Sequence, residues 1–168
     1  MKVALNGYFL REPSTGSGQY TLHLARALNA RGDLDVELLC PSGMNVAALL
    51  GDGTGDVVPV RAAAPPMAGL LGANLGKVWW EQVTVGRLAR RWPADVLHCP
   101  YFASPLRPPL ATVVTIHDVI PLLLPEYRGS ALVRLYTRLV AAAAGRSDVV
   151  ITDSHCSARD IHRMTAIR

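Results

Sequence analysis

Ala111-Thr112-Val113-Val114-Thr115-Ile116-His117-Asp118-Val119-Ile120-Pro121 is the stretch on which the fold turns. Its first six residues are β-branched or apolar and carry no charge. Such a run suits a strand buried on both faces, and strands of that kind belong to parallel sheets covered by helices. It ends in two polar side chains, His117 and Asp118, delivered to the carboxyl edge of the sheet. In open α/β sheets the ligand crevice lies outside that edge.

On the N-terminal side, Val3 to Leu10 reads as the first strand and Glu12 to Gly18 as a turn cluster. Gln19 to Arg31 has helical spacing, with Tyr20, Leu24, Ala27 and Leu28 on one face and Gly32 as its stop. Val36 to Cys40 is a second strand closed by Pro41, followed by a short helix over Asn45 to Leu50 and a weaker strand over Val57 to Val60. Residues 61 to 76, uncharged after Arg61 and broken by prolines and glycines, read as a long loop of the functional or mobile kind. A helix over Lys77 to Arg91 and a strand over Asp95 to Cys99 come next, then a Pro-rich loop from Pro100 to Pro109 that holds Tyr101. Beyond the organising strand lie a long helix over Tyr127 to Gly145, a strand over Asp148 to Thr152 and a helix over Ser154 to Arg163. Strands alternating with helices at this spacing imply an α/β fold: a parallel sheet with helices on both faces.

The 168 residues suit one domain, and with 50% hydrophobic and 18% charged residues the chain is globular rather than disordered. The net charge of +4 suits a phosphate-bearing partner or a membrane surface, but many plain enzymes carry as much. Cys40, Cys99 and Cys156 are odd in number and far apart, which argues against a disulfide framework and for a reducing cytosol. The opening MKVALNGYFL is too short an apolar run for a secretory peptide, and no stretch reaches the length of a transmembrane helix. The expectation is a soluble, cytoplasmic protein.

Gly16-Ser17-Gly18, between a first strand and a first helix, lets backbone N–H groups approach an anion, or else makes a tight turn that binds nothing. The dinucleotide fingerprint GxGxxG is not completed, and Cys40 stands where an acidic ribose ligand would be, so a dehydrogenase is disfavoured. Neither a nucleophile elbow nor a P-loop lysine is present. The pairs His98-Cys99, His117-Asp118 and His155-Cys156 each lie at a strand end, but no two candidate ligands share a helical turn, so no metal is expected. His117 is set apart by the apolar run after it, which places it in a walled crevice where an imidazole can serve an oxygen near neutral pH; a satisfied core histidine is the other reading. Arg134 and Arg138, one helical turn apart, and Arg87, Arg90 and Arg91 beside Trp92 read as solvated faces, with anionic headgroups as the alternative for the second cluster.

Four motifs then occur in order: Trp80-Glu81-Gln82, Asp95-Val-Leu-His-Cys-Pro-Tyr101, Val114-Thr-Ile-His-Asp-Val-Ile-Pro121, and Ile151-Thr-Asp-Ser154 with Ser157, Asp160 and Ile161. The series resembles the N-terminal half of family 4 glycosyltransferases, a retaining, nucleotide-sugar-dependent group with the GT-B fold. The resemblance implies a Rossmann-like, doubly wound domain over residues 1–168, facing the acceptor, with the donor-binding C-terminal domain outside this chain. The family's paired glutamates belong to that second domain, and no pair among Glu12, Glu37, Glu81 and Glu126 has their seven-residue spacing.

By the same resemblance His117 is the catalytic residue reaching toward the transferred sugar. Gly16, Ser17, Gly18 and Asp118 bind the donor, and Gln19, Tyr20, Tyr101 and Ser154 the acceptor. Relatives often carry an arginine where Gln19 stands here. The resemblance implies no metal or cofactor. The implied partners are a nucleotide sugar and a glycan or lipid-linked acceptor, with a peripheral contact at the inner membrane face and no nucleic acid. A mannosyl donor and a role in cell-surface glycan synthesis are the mild preferences of such relatives. The fragment alone is expected to be inactive. The reading from a different class is a complete, non-catalytic flavodoxin-like binding or regulatory module.

Overall fold

The computed structural model describes residues 1–46, 49, 58–63, 72–127, 129–165 and 167. Among them, β1 (Lys2–Asn6), β2 (Asp35–Pro41), β3 (Val60–Ala63), β4 (Val96–Cys99), β5 (Ala111–Thr115) and β6 (Val149–Ile151) form one sheet. Every pairing is parallel, and the order is β3-β2-β1-β4-β5-β6. The direction of winding reverses between β1 and β4, the doubly wound arrangement of a Rossmann-like fold.

Helices pack on both faces of the sheet, while Val149 and Ile151 of the edge strand β6 stay exposed. Val3, Leu5, Val36, Leu38 and Cys40 pack with Leu22 and Ala25 of α1 (Gly16–Asn29). The alternate residues Ala4, Leu39, Leu97 and Val114 pack instead with Trp80, Val85, Leu88 and Ala89. Those four belong to one long helical segment made of α2 (Gly72–Trp79), a π turn (Trp80–Thr84) and α3 (Val85–Arg91). Ala144 of α5 (Ala131–Ala144) and Ile161 of α6 (His155–Met164) join the same layer. Each fully buried Leu or Ile in these layers contributes on the order of 1.5–3 kcal/mol of transfer free energy.

Several expected boundaries move. The first strand stops at Asn6 because the Asn6 side chain accepts from Tyr8 N (3.2 Å) and turns the chain into a 3-10 helix, Tyr8–Arg11. Gly7 sits between them against β2, where a Cβ would lie 2.5 Å from Cys40 Sγ. The first helix begins at Gly16 rather than Gln19, since Thr15 caps it by accepting from Gly18 N at 3.1 Å. Thus Gly16-Ser17-Gly18 is the opening turn of a helix.

The third strand occupies Val60–Ala63 rather than 57–60, in register with Leu38 to Pro41 of β2. Of the expected loop at 61–76, one end is therefore strand, the other opens α2 at Gly72, and 64–71 lie outside the described residues. The short helix expected at 45–50 falls largely outside them too. The organising strand ends at Thr115, and Asp118 Oδ1 accepts from Ile120 N (3.0 Å) to start α4 (Ile120–Leu123). The long helix begins at Ala131, not Tyr127, because Ser130 caps it, while Pro125–Tyr127 forms a separate 3-10 turn.

Candidate active site

The carboxyl ends of β1, β4 and β5 converge on a cleft of about 270 Å³. Phe9 after β1, Ser17 in the first turn of α1, Tyr101 after β4, and His117 and Asp118 after β5 all line it. This is the place where the reversal of strand order splays the connections apart and leaves a crevice. Helix α5 closes another side with Tyr136, Thr137 and Val140.

His117 is held on one side by Asp153, whose Oδ2 accepts from Nδ1 at 2.6 Å. A carboxylate at that distance fixes the proton on Nδ1. The Nε2 atom is buried and has no hydrogen-bond partner among the described residues. A buried unsatisfied nitrogen costs about 1–3 kcal/mol, so a ligand oxygen that meets it recovers that free energy. The Tyr20 ring stands edge-on to the imidazole, with centroids 4.7 Å apart and planes at 83°. Tyr20 also shares a 3.4 Å hydrogen bond with Thr115 Oγ1, which in turn bonds His98 Nε2 at 3.0 Å. Because Nε2 is buried, a ligand reaches it only when a neighbouring side chain moves.

Burial drives the His98 pKa down to about 4, so His98 is a neutral strut beneath the site. It ties the end of β4 to the end of β5.

At the start of α1, Gly18 N–H is taken by Thr15, whereas Gly16 and Ser17 N–H have no partner among the described residues. The two glycines differ in kind. A Cβ on Gly18 would lie 2.3 Å from Glu12 O and 2.9 Å from Pro13 Cα, so glycine is needed there for packing. A Cβ on Gly16 would meet nothing within 4 Å. The open side of this helix start is thus Gly16 and Ser17, at the positive end of a 14-residue helix.

A second polar group lies among aromatic rings. Lys77 Nζ donates to Tyr136 Oη (2.7 Å) and pairs with Glu81 (3.2 Å), and Tyr136 Oη donates to Glu81 at 2.9–3.0 Å. Burial pushes the Glu81 carboxyl up and Lys77 pulls it back, while burial and the Glu81 charge both push the Tyr136 hydroxyl up. Beside them Asn6 Nδ2 donates to Tyr101 Oη and Asn6 Oδ1 accepts from Trp80 Nε1, both at 2.9 Å.

The structure therefore brings Ser17, His117, Asp118 and Tyr101 to one cleft, with Tyr20 against His117 and Gly16 at the neighbouring helix start. Gln19 and Ser154 are not among its lining residues. Gln19 Nε2 donates to Pro13 O at 2.6 Å, and Ser154 caps α6 by accepting from Ser157 N. Asp153, Lys77 and Tyr136 were missed as site residues. For Asp153 the signal was its place after β6, matching that of His117 after β5. Among the described residues no three side chains of metal-ligating type gather, and no helix is long and apolar enough to cross a membrane.

Residues 15–168 match the family described as "Glycosyl transferase 4-like domain", and the chain belongs to that family. No curated protein matches the chain.

Proposed function

We propose that this glycosyl transferase 4-like domain is the acceptor-side half of a retaining enzyme that moves a sugar from a nucleoside diphosphate sugar to a glycan or lipid-linked acceptor. A second, donor-binding domain closes over the carboxyl edge of the sheet. His117 carries the reading: it lines the cleft, one nitrogen is anchored by Asp153, and the other is buried and unpartnered until a side-chain movement opens it to a ligand. A sugar hydroxyl brought there gives Nε2 the partner it lacks.

Cleavage of the glycosyl–phosphate bond builds positive charge on the sugar and negative charge on the departing diphosphate. Fixed dipoles aimed at that diphosphate stabilise it best where water is excluded. The free N–H groups of Gly16 and Ser17 supply part of that field, and basic residues of the second domain supply the rest. With the leaving charge met by N–H groups and cations, the transfer runs without a metal ion. Asp118, in the same wall, orients the donor beside the transferred sugar. Tyr101, buried under the cleft, and Tyr20 shape the acceptor side.

The mannosyl preference and the part in cell-surface glycan synthesis come from the family resemblance. Contact with a membrane surface, on the cytoplasmic side in this reading, draws its support from α5, where Leu132 (78% exposed) and Leu135 stand in solvent beside Arg134 and Arg138; the side itself is an expectation from the sequence. A covered carboxyl edge would favour a non-catalytic module, and here that edge carries the cleft.

The test is turnover by the full-length protein with nucleotide sugar and acceptor, wild type against His117→Ala. Loss of transfer in a variant that still melts cooperatively supports the reading, and transfer at the wild-type rate removes His117 from it. The 168-residue chain alone is expected to transfer nothing. Transfer by it in isolation overturns the two-domain arrangement.

A further inference from the structure

Lys77 and Glu81, one helical turn apart, form an ion pair whose two members differ in access. The carboxylate is 0% exposed, whereas the lysine side chain is 26% exposed and lines the cleft. Glu81 and Tyr136 take two of the three ammonium hydrogens, which leaves one N–H for a ligand. Around Nζ stand the rings of Tyr136, Phe9 and Tyr101, with centroids 4.6, 5.5 and 5.9 Å away. Phe9 and Tyr101 are themselves edge to face at 4.6 Å.

The charges of Lys77 and Glu81 cancel, so this part of the cleft offers a strong donor without net charge. An anion entering it would lose its hydration and compete with Glu81 for the same ammonium, a poor exchange in a half-buried site. A pyranose ring suits the place better, because its C–H faces pack on aromatic rings and its hydroxyls meet the free N–H. The helix also leaves regular geometry here. The π turn Trp80–Thr84 buries Trp80 and Glu81, which are adjacent in sequence, and such turns are concentrated at functional sites.

We infer that Lys77, held by Glu81 and Tyr136 against Phe9 and Tyr101, is a specificity-determining residue that reads an uncharged sugar unit of the acceptor and selects against one bearing a carboxylate. The role as acceptor rests on the glycosyltransferase reading above; the binding does not.

The experiment is ligand-observed saturation-transfer NMR on the full-length protein without donor. The probes are a methyl hexopyranoside and the methyl glycoside of the matching hexuronic acid. The hexoside is expected to bind and the uronate to bind more weakly. Lys77→Met with Glu81→Gln removes both charges together, so neither is stranded in the interior, and should weaken hexoside binding about tenfold. Tyr136→Phe, which deletes one hydroxyl, should weaken it in the same direction if the double variant does not fold. In turnover assays either variant should raise the acceptor KM and leave the donor KM unchanged.

Uronate binding as tight as hexoside binding, or hexoside binding unmoved by the variants, overturns the subsite. Hexoside binding in a full-length protein that transfers no sugar would remove the glycosyltransferase reading and keep the subsite. Sugar transfer with an acceptor KM indifferent to the variants would do the reverse.

Discussion

His117 and Asp153 meet at 2.6 Å because each stands two residues beyond a strand end, and those ends, Thr115 and Ile151, are paired in register. The contact is thus written into the pairing of β5 with β6. A one-residue slip of β6 would send Asp153 to the other face and leave the imidazole without its anchor.

From this pairing, His117→Ala in the full-length protein should lower turnover by about 10²–10⁴-fold, the usual contribution of a positioned acid–base group. Asp153→Asn should lower it by less, since the Asp153 side chain is 53% exposed and water screens the pair. Steady-state kcat for both variants is the measurement. An Asp153→Asn enzyme more impaired than His117→Ala would show that Asp153 acts on the substrate directly.

The two glycines of the α1 start should part company. Gly18→Ala forces a Cβ onto Glu12 and Pro13 backbone and is expected to cost about 1–3 kcal/mol, read as a lower urea midpoint. Gly16→Ala enters open space in a helix and should be neutral or stabilising by about 0.5–1 kcal/mol. If the donor diphosphate approaches this helix start as proposed, the added methyl crowds it and the donor KM should nevertheless rise. A Gly16→Ala enzyme with unchanged donor KM would show that the diphosphate does not pass close to residue 16.

Acid should weaken the fold through His98. Its pKa falls from 6.5 when unfolded to about 4 when folded, so below pH 6.5 the unfolded chain binds the extra proton. Stability is full above 6.5 and is lost as the pH falls through 4, by roughly 3 kcal/mol for a shift of this size. Melting curves from pH 7 to 4 should be flatter for His98→Gln than for wild type. Parallel curves would mean that His98 is hydrated in the native state.

The three thiols should separate by reactivity. Burial pushes Cys40 and Cys99 up to about 12, and both lie in the interior, while Cys156 is exposed on α6. Mass spectrometry after brief alkylation at neutral pH should find one adduct on the native protein and three after unfolding in guanidinium. Early labelling of Cys99 would place an opening motion next to β4.

How much of this was legible in the sequence depended on whether the signal was local. The run from Ala111 to Ile116 announces a buried parallel strand, and the alternation of strands with helices carries the rest of the sheet. His117 could be singled out because it follows that run directly. For Asp153 the only signal was its place after a strand, since its partner is 36 residues away and strand register decides the meeting. Lys77 and Tyr136 were hidden for a similar reason: their spacing is ordinary helical spacing, and the ring cage around Nζ exists only after α2 and α5 pack. Tyr8 and Phe9 look like strand residues by type, yet the Asn6 side chain bends the backbone before they can pair.

Trp80, Glu81 and Gln82 follow one another in the chain yet all hold neighbours: Asn6, Tyr136, and the backbone at Ser104 and Leu106. A regular helix would fan three successive side chains through about 200°, too wide an arc for one packed face. The widened turn makes room for them with a single surplus residue. Excise one residue between Trp80 and Thr84 and the preceding helix rotates by about 100° against the next, taking Lys77 with it. A chain so shortened would keep its sheet and lose the contacts of Lys77 with Glu81, Tyr136 and the rings around it.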